Sequence, residues 1–144
     1  MAVGDITLFN ETKASMLDGG WGSNDLIKVA LITSAVVPTT TQVTPSLSDF
    51  TEVAAGGTYT TGGSDLSAWS TMISQSVGTV TFADDDASVA WLQNGSNPTN
   101  ARYGIIYNSV ANQAIAYIDL GQDVDLSAGD LTLSWNVNGI FTIA

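Results

Sequence analysis

The chain has 144 residues and a formal net charge of −11, set by its acidic side chains against only Lys13, Lys28 and Arg102. Three dispersed cations cannot displace the counterions of a phosphate backbone, so nucleic acid is a poor partner and an anionic membrane surface is excluded. Cysteine and histidine are both absent, which removes disulfides, Cys/His zinc sites and imidazole acid–base relays together.

The length fits one domain large enough to need no metal or disulfide staple. Hydrophobic residues make up 44%, an ordinary core share, while charged residues are only 12%, so Ser, Thr, Asn and Gly must cover the surface. No apolar run approaches the ~18 residues of a membrane span. The start, Met1-Ala2-Val3-Gly4-Asp5, lacks the basic and apolar regions of a secretory signal, so synthesis in the cytoplasm from a native start is expected.

Residues 9–17 (FNETKASML) fit two helical turns, with Asn10 as N-cap, Lys13 toward the C-terminal end and Gly19-Gly20 as the stop. Phe9, Lys13 and Met16/Leu17 then share a face. An ordered arm without regular structure fits the same residues. Residues 26–33 (LIKVALIT) predict a strand: Ile27, Val29 and Leu31 face one way, Leu26, Lys28, Ala30 and Ile32 the other, so both faces are covered. Residues 34–63 are irregular and rich in Thr, Pro, Ser and Gly, with one helical turn expected at 45–50 (PSLSDF). A connection this long is an arm, a functional loop or a disordered segment.

From Asp65 the pattern becomes short strands between turn signals. Val80/Phe82 and Val89/Trp91 alternate; Tyr103, Ile105 and Tyr107 form one stripe, and Ala116, Ile118 and Leu120 another. Leu131, Leu133, Trp135 and Val137 follow strict period two, which reads as core. Asp84-Asp85-Asp86, Asn94-Gly95, Asn97-Pro98, residues 108–112 and Ala128-Gly129-Asp130 punctuate these runs. The expected fold is all-β: an antiparallel β-sandwich, jelly-roll-like, or a barrel, in one domain. Residues 1–20 form an N-terminal arm or short helix, and residues 21–144 the β domain.

Chemical equipment is sparse. Asp84, Asp85 and Asp86 offer oxygen ligands of the kind calcium takes, but without the alternating pattern that wraps an ion, so a solvated turn is expected. Asp119, Asp123, Asp125 and Asp130 form a second acidic group around a turn. Nothing in it marks one carboxylate for the raised pKa a glycosidase acid needs. A serine nucleophile has only Lys13 or Lys28 as a base, no G-x-S-x-G elbow occurs, and the glycine-rich segments lack a phosphate-loop Lys. No catalytic, cofactor-binding or metal residue is therefore assigned, and no enzyme is expected. Trp91 and Trp135 read as core, Trp69 as the better exposed platform for stacking, and Arg102 as half of a structural bidentate ion pair.

Five stretches carry a resemblance: residues 25–34 (DLIKVALITS) after the Trp21 turn, 57–63 (GTYTTGG), 101–107 (ARYGIIY), 115–121 (IAYIDLG) and 133–141 (LSWNVNGIF). In this order they resemble a family of small tailed-phage virion proteins, with its IKVALLTS-like strand, GYTxGG loop and WNxxGIF ending. The resemblance spans most of the chain from Trp21 onward, and its weight lies in joint order and spacing. It implies a structural virion component with no catalytic residues to carry over. Some members look like capsid cement or decoration proteins, which bind where capsid subunits meet and often form trimers. Others belong to the tail or the head–tail connection.

The reading is a capsid decoration protein on the outer surface of the virion. Its partners are the major capsid protein of the same virion and further copies of itself, a trimer favoured. It uses no cofactor and binds no nucleic acid or membrane. Residues 1–17 and 34–63 are expected to make most inter-chain contacts, for instance by adding a strand to a neighbour's sheet. A tail component and a carbohydrate-binding module using exposed aromatics are the alternatives.

Overall fold

A computed structural model describes residues 4–84 and 88–143. In chain order the elements are β1 (Ile6–Leu8), α1 (Asn10–Asp18), β2 (Leu26–Ile32), β3 (Ser64–Ala68), α2 (Trp69–Met72) and β4 (Ile73–Ser76). There follow β5 (Thr79–Phe82), β6 (Ser88–Trp91), β7 (Ala101–Asn108), β8 (Gln113–Val124), β9 (Leu131–Ser134) and β10 (Phe141–Ile143). All named strand pairs are antiparallel. The fold is all-β and sandwich-like, as the patterning predicts.

The main sheet has the order β1-β8-β7-β2-β3. Its middle strands are apolar on both faces because both are covered. Ile27, Val29, Leu31, Ile106, Ala116 and Ile118 pack on one side with Met72, Phe82, Trp91, Leu133 and Ile140, most of them from the two smaller sheets, β10-β5-β4 and β6-β9. Ala30, Ile32, Tyr103, Ile105, Tyr107 and Tyr117 face the other way, under Phe9, Phe50 and Leu47. The two stripes read from the sequence thus land on opposite faces of one sheet. Each fully buried aliphatic or aromatic side chain contributes roughly 1.5–3 kcal/mol over leaving it in water, and the sheet collects that on both sides.

The segment before residue 20 is built into this sheet. β1 pairs with β8 in the register Ile6↔Ile118, Thr7↔Tyr117 and Leu8↔Ala116, and Phe9 N–H donates to the Ile115 carbonyl at 3.1 Å. α1 follows, but its N-cap is Phe9 and not Asn10, with no side-chain cap bond. Gly19 ends it in the left-handed conformation at φ 65°. The inward face carries Thr12, whose buried hydroxyl donates to the Ile115 carbonyl at 2.6 Å, while Leu17 stands 89% exposed.

The irregular stretch 34–63 lies over the Phe9–Phe50 face and then returns beside β2. Its expected turn is a 3-10 turn at Leu47–Asp49, closed by reciprocal Ser46 and Asp49 bonds. One core assignment is corrected. β9 ends at Ser134, because Asn136 accepts the N–H groups of Gly139, through its carbonyl, and of Asn138, through its side chain. That turn throws Val137 into solvent at 99% exposure and leaves Leu131 and Trp135 half-buried, with only Leu133 of the stripe buried.

Candidate functional site

The most organised polar constellation lies in residues 52–63, where the chain passes β2 and turns back. Val53 N–H donates to the Leu31 carbonyl at 3.0 Å, setting Glu52 beside the end of β2. A turn from Gly56 to Tyr59 then drives Tyr59 into the core, only 1% exposed. Its hydroxyl accepts the Leu31 N–H at 3.0 Å and donates to Glu52 Oε1 at 2.7 Å. The same Glu52 oxygen accepts the Gly62 N–H at 2.6 Å, and Tyr107 Oη donates to the Gly62 carbonyl at 2.9 Å. On the far side Asn97, buried, accepts the Thr58 N–H and donates to the Leu92 and Leu126 carbonyls.

This arrangement is a latch. The carboxylate oxygen of Glu52 is occupied by a phenol and an amide, and neither partner is a nucleophile activated toward a cavity. Burial raises the Tyr59 hydroxyl far above its ordinary range despite the opposing Leu31 N–H, and the Glu52 charge pushes the same way. Burial likewise raises Tyr107, assisted by Glu52 and Asp65.

The linkage sign follows from those directions. The unfolded chain gives up tyrosine protons near pH ~10 while the folded chain keeps them, so stability falls as pH rises above about 10. Urea midpoints measured from about pH 8 to about 11 should therefore drop for the wild type and drop less steeply for Tyr59→Phe. Equal slopes for both proteins would refute the assignment of Tyr59 as the main alkaline-labile group.

The acidic groups are dispersed into separate structural roles. Asp84 accepts from the Ser67 hydroxyl at 2.7 Å; Asp85 and Asp86 lie outside the described residues. Asp119 pairs with Arg102, whose guanidinium also lies 4.6 Å over the Tyr103 ring. The pair runs from one Arg102 nitrogen to one Asp119 oxygen, where a bidentate fork was expected. Hydrogen bonds from Arg102 and the Gly121 N–H hold the Asp119 carboxyl below the usual range. Asp125 is lowered by its bonds to Ser127, and Asp130 accepts the Gln93 N–H at 2.5 Å. Among the described residues no three metal-ligating side chains converge.

The tryptophans pack rather than stand out. Trp91 is buried, and Trp21 is pinned by its indole N–H, which donates to Gln113 Oε1 at 2.7 Å. Trp69, half-buried, meets Trp21 edge-on at 4.5 Å and lies 5.3 Å from the Phe82 ring. These rings form one wall of an open apolar groove of about 590 Å³, completed by Met16, Leu17, Ile73, Val80 and Phe141. A second cleft, of about 640 Å³, is more polar and runs between residues 4–7 and 134–140.

Of the sequence-marked features, Tyr59, Gly62 and Gly63 meet in the latch, whereas the acidic groups and tryptophans converge on no common point. Glu52 carried no sequence signal of its own, being one of two acids, with Asp49, in the stretch 34–63. No family model, curated protein or solved structure matches the chain.

Proposed function

We propose that the chain is a non-catalytic structural component of a tailed-phage virion, a decoration protein that binds the outer capsid surface and stabilises the shell. The observation that carries this reading is how the resembling stretches relate to one another in space. Residues 25–34 and 101–107 lie mainly on the adjacent strands β2 and β7, and 115–121 lies on β8 beside β7. The loop 57–63 is fastened to the first two by Tyr59 on Leu31 and Tyr107 on Gly62. Four of the five motifs are thus parts of one interlocked framework, which gives a physical reason for their order and spacing.

The mechanism is binding. A protein with affinity only for the assembled shell stabilises it by mass action, and many symmetry-related copies multiply the effect. The major capsid protein is the proposed partner, together with further copies of the chain. In purified particles that encode it, cryo-EM should place the chain at many equivalent positions on the outer capsid, and particles lacking it should release DNA at lower temperature. Its absence from particles, or its location on the tail, would overturn the reading.

A further inference from the structure

The three-stranded sheet ends at β4, and among the described residues nothing pairs with that strand's outer side. Antiparallel ladders alternate between residues that bond the neighbour and residues whose N–H and C=O point away. Ala83 N–H donates to the Met72 carbonyl at 2.8 Å, and the register runs Ile73↔Phe82, Ser74↔Thr81, Gln75↔Val80 and Ser76↔Thr79. Met72, Ser74 and Ser76 therefore bond inward, and the backbone groups of Ile73 and Gln75 point outward, unpaired.

Natural sheets protect such edges with charge, proline, bulges or very short strands. β1 and β10 are only three residues long, and β3 carries exposed Asp65. β4, four residues long, carries no charge, proline or bulge. No charged side chain occurs from Leu66 to Ala83, the register is unbroken, Ser74, Gln75 and Ser76 are exposed, and the hairpin tip presents fully exposed Val77.

We infer that β4 is a self-association edge, pairing antiparallel with β4 of a second copy about a two-fold axis through Ser74. In that register Ile73 faces Gln75 of the other copy on both sides of the axis, so all the outward backbone groups of the two strands are satisfied at once. Ile73 also lines the apolar groove, and pairing brings the two groove floors side by side.

The occupant is a second copy and not a foreign strand for two reasons. The free groups are self-complementary about one residue. A chain of net charge −11 repels its copies generally, yet this hairpin adds no like charge at the contact, and it offers no carboxylate to recruit a basic peptide. The inference is independent of the virion reading and of any three-fold contact.

The test exploits the absence of cysteine. Directly opposed residues in a non-hydrogen-bonded antiparallel pair have Cα atoms about 4.5 Å apart, within disulfide reach. Ser74→Cys should oxidise readily to a covalent dimer, at least tenfold faster than Ser48→Cys, an exposed control in the 3-10 turn. Ser74→Lys opposes two cations and should halve the particle mass seen by analytical ultracentrifugation, with the circular dichroism spectrum unchanged. Crosslinking no faster than the control overturns the inference. So does a wild-type mass, whether monomeric or trimeric, that Ser74→Lys leaves unaltered.

Discussion

Replacing Gly63 by alanine is expected to prevent folding or to destabilise the chain by more than about 4 kcal/mol. Two independent causes act there. The residue sits at φ 73°, where a side chain is strained, and a Cβ would lie 2.0 Å from the Val29 carbonyl oxygen and 2.6 Å from the Ala30 Cα. Those atoms belong to β2, bonded on both sides by β3 and β7. Neither atom is the end of a flexible side chain, so relief requires the loop to lift off. Lifting it breaks the Glu52–Tyr59–Gly62 latch and leaves a phenol and a carboxylate to find new partners. Gly95 provides the contrast, since its Cβ would meet nothing within 4 Å, and Gly95→Ala should stay within about 0.5 kcal/mol of wild type. Urea unfolding of both variants checks this. A Gly63→Ala protein with a wild-type midpoint would show that the loop does not press against β2.

The same loop shows where sequence reading stops. Local periodicity located β2, β7 and β8 and separated the two stripes Tyr103/Ile105/Tyr107 and Ala116/Ile118/Leu120, because strand alternation is a property of neighbouring residues. The latch is not local: Tyr59 reaches Leu31 across 28 residues, and Tyr107 reaches Gly62 across 45. Residues 57–63 could be matched to a family loop without any indication that Glu52 holds them. β1 and β4 escaped notice because Ile6–Leu8 is too short, and Ile73–Ser76 too polar, to show alternation. The Leu131–Val137 stripe failed for the opposite reason. Its alternation continues through Asn136-Val137-Asn138-Gly139, and an Asn-Gly turn signal there outweighs period two. Trp69, expected as the better exposed platform, is half-buried: the chain after β3 folds it against Trp21, and it lines the open groove.

Removing residues 1–9 is expected to destabilise the monomer severely, and Phe9→Ala alone should cost about 3–5 kcal/mol. Phe9 has no exposed surface and lies 5.3 Å from the Tyr117 ring and 6.2 Å from the Phe50 ring, centroid to centroid. It packs between the irregular loop and the main sheet, so its loss leaves a cavity where the two meet. Truncation adds a second cost, because without β1 the backbone edge of β8 opens at Ile115 and Tyr117, inviting aggregation. The sequence alone pointed to an arm whose apolar side chains seek a neighbouring subunit, and the two views separate cleanly. If Phe9 serves its own domain, Phe9→Ala lowers the urea midpoint at every protein concentration, and binding to particles, corrected for the folded fraction, is unchanged. Leu17, exposed beside the apolar groove, makes the complementary probe: Leu17→Ser should leave stability within about 0.5 kcal/mol of wild type. A Phe9→Ala monomer as stable as wild type, with weakened self-association, would return residues 1–9 to the role of an inter-subunit arm.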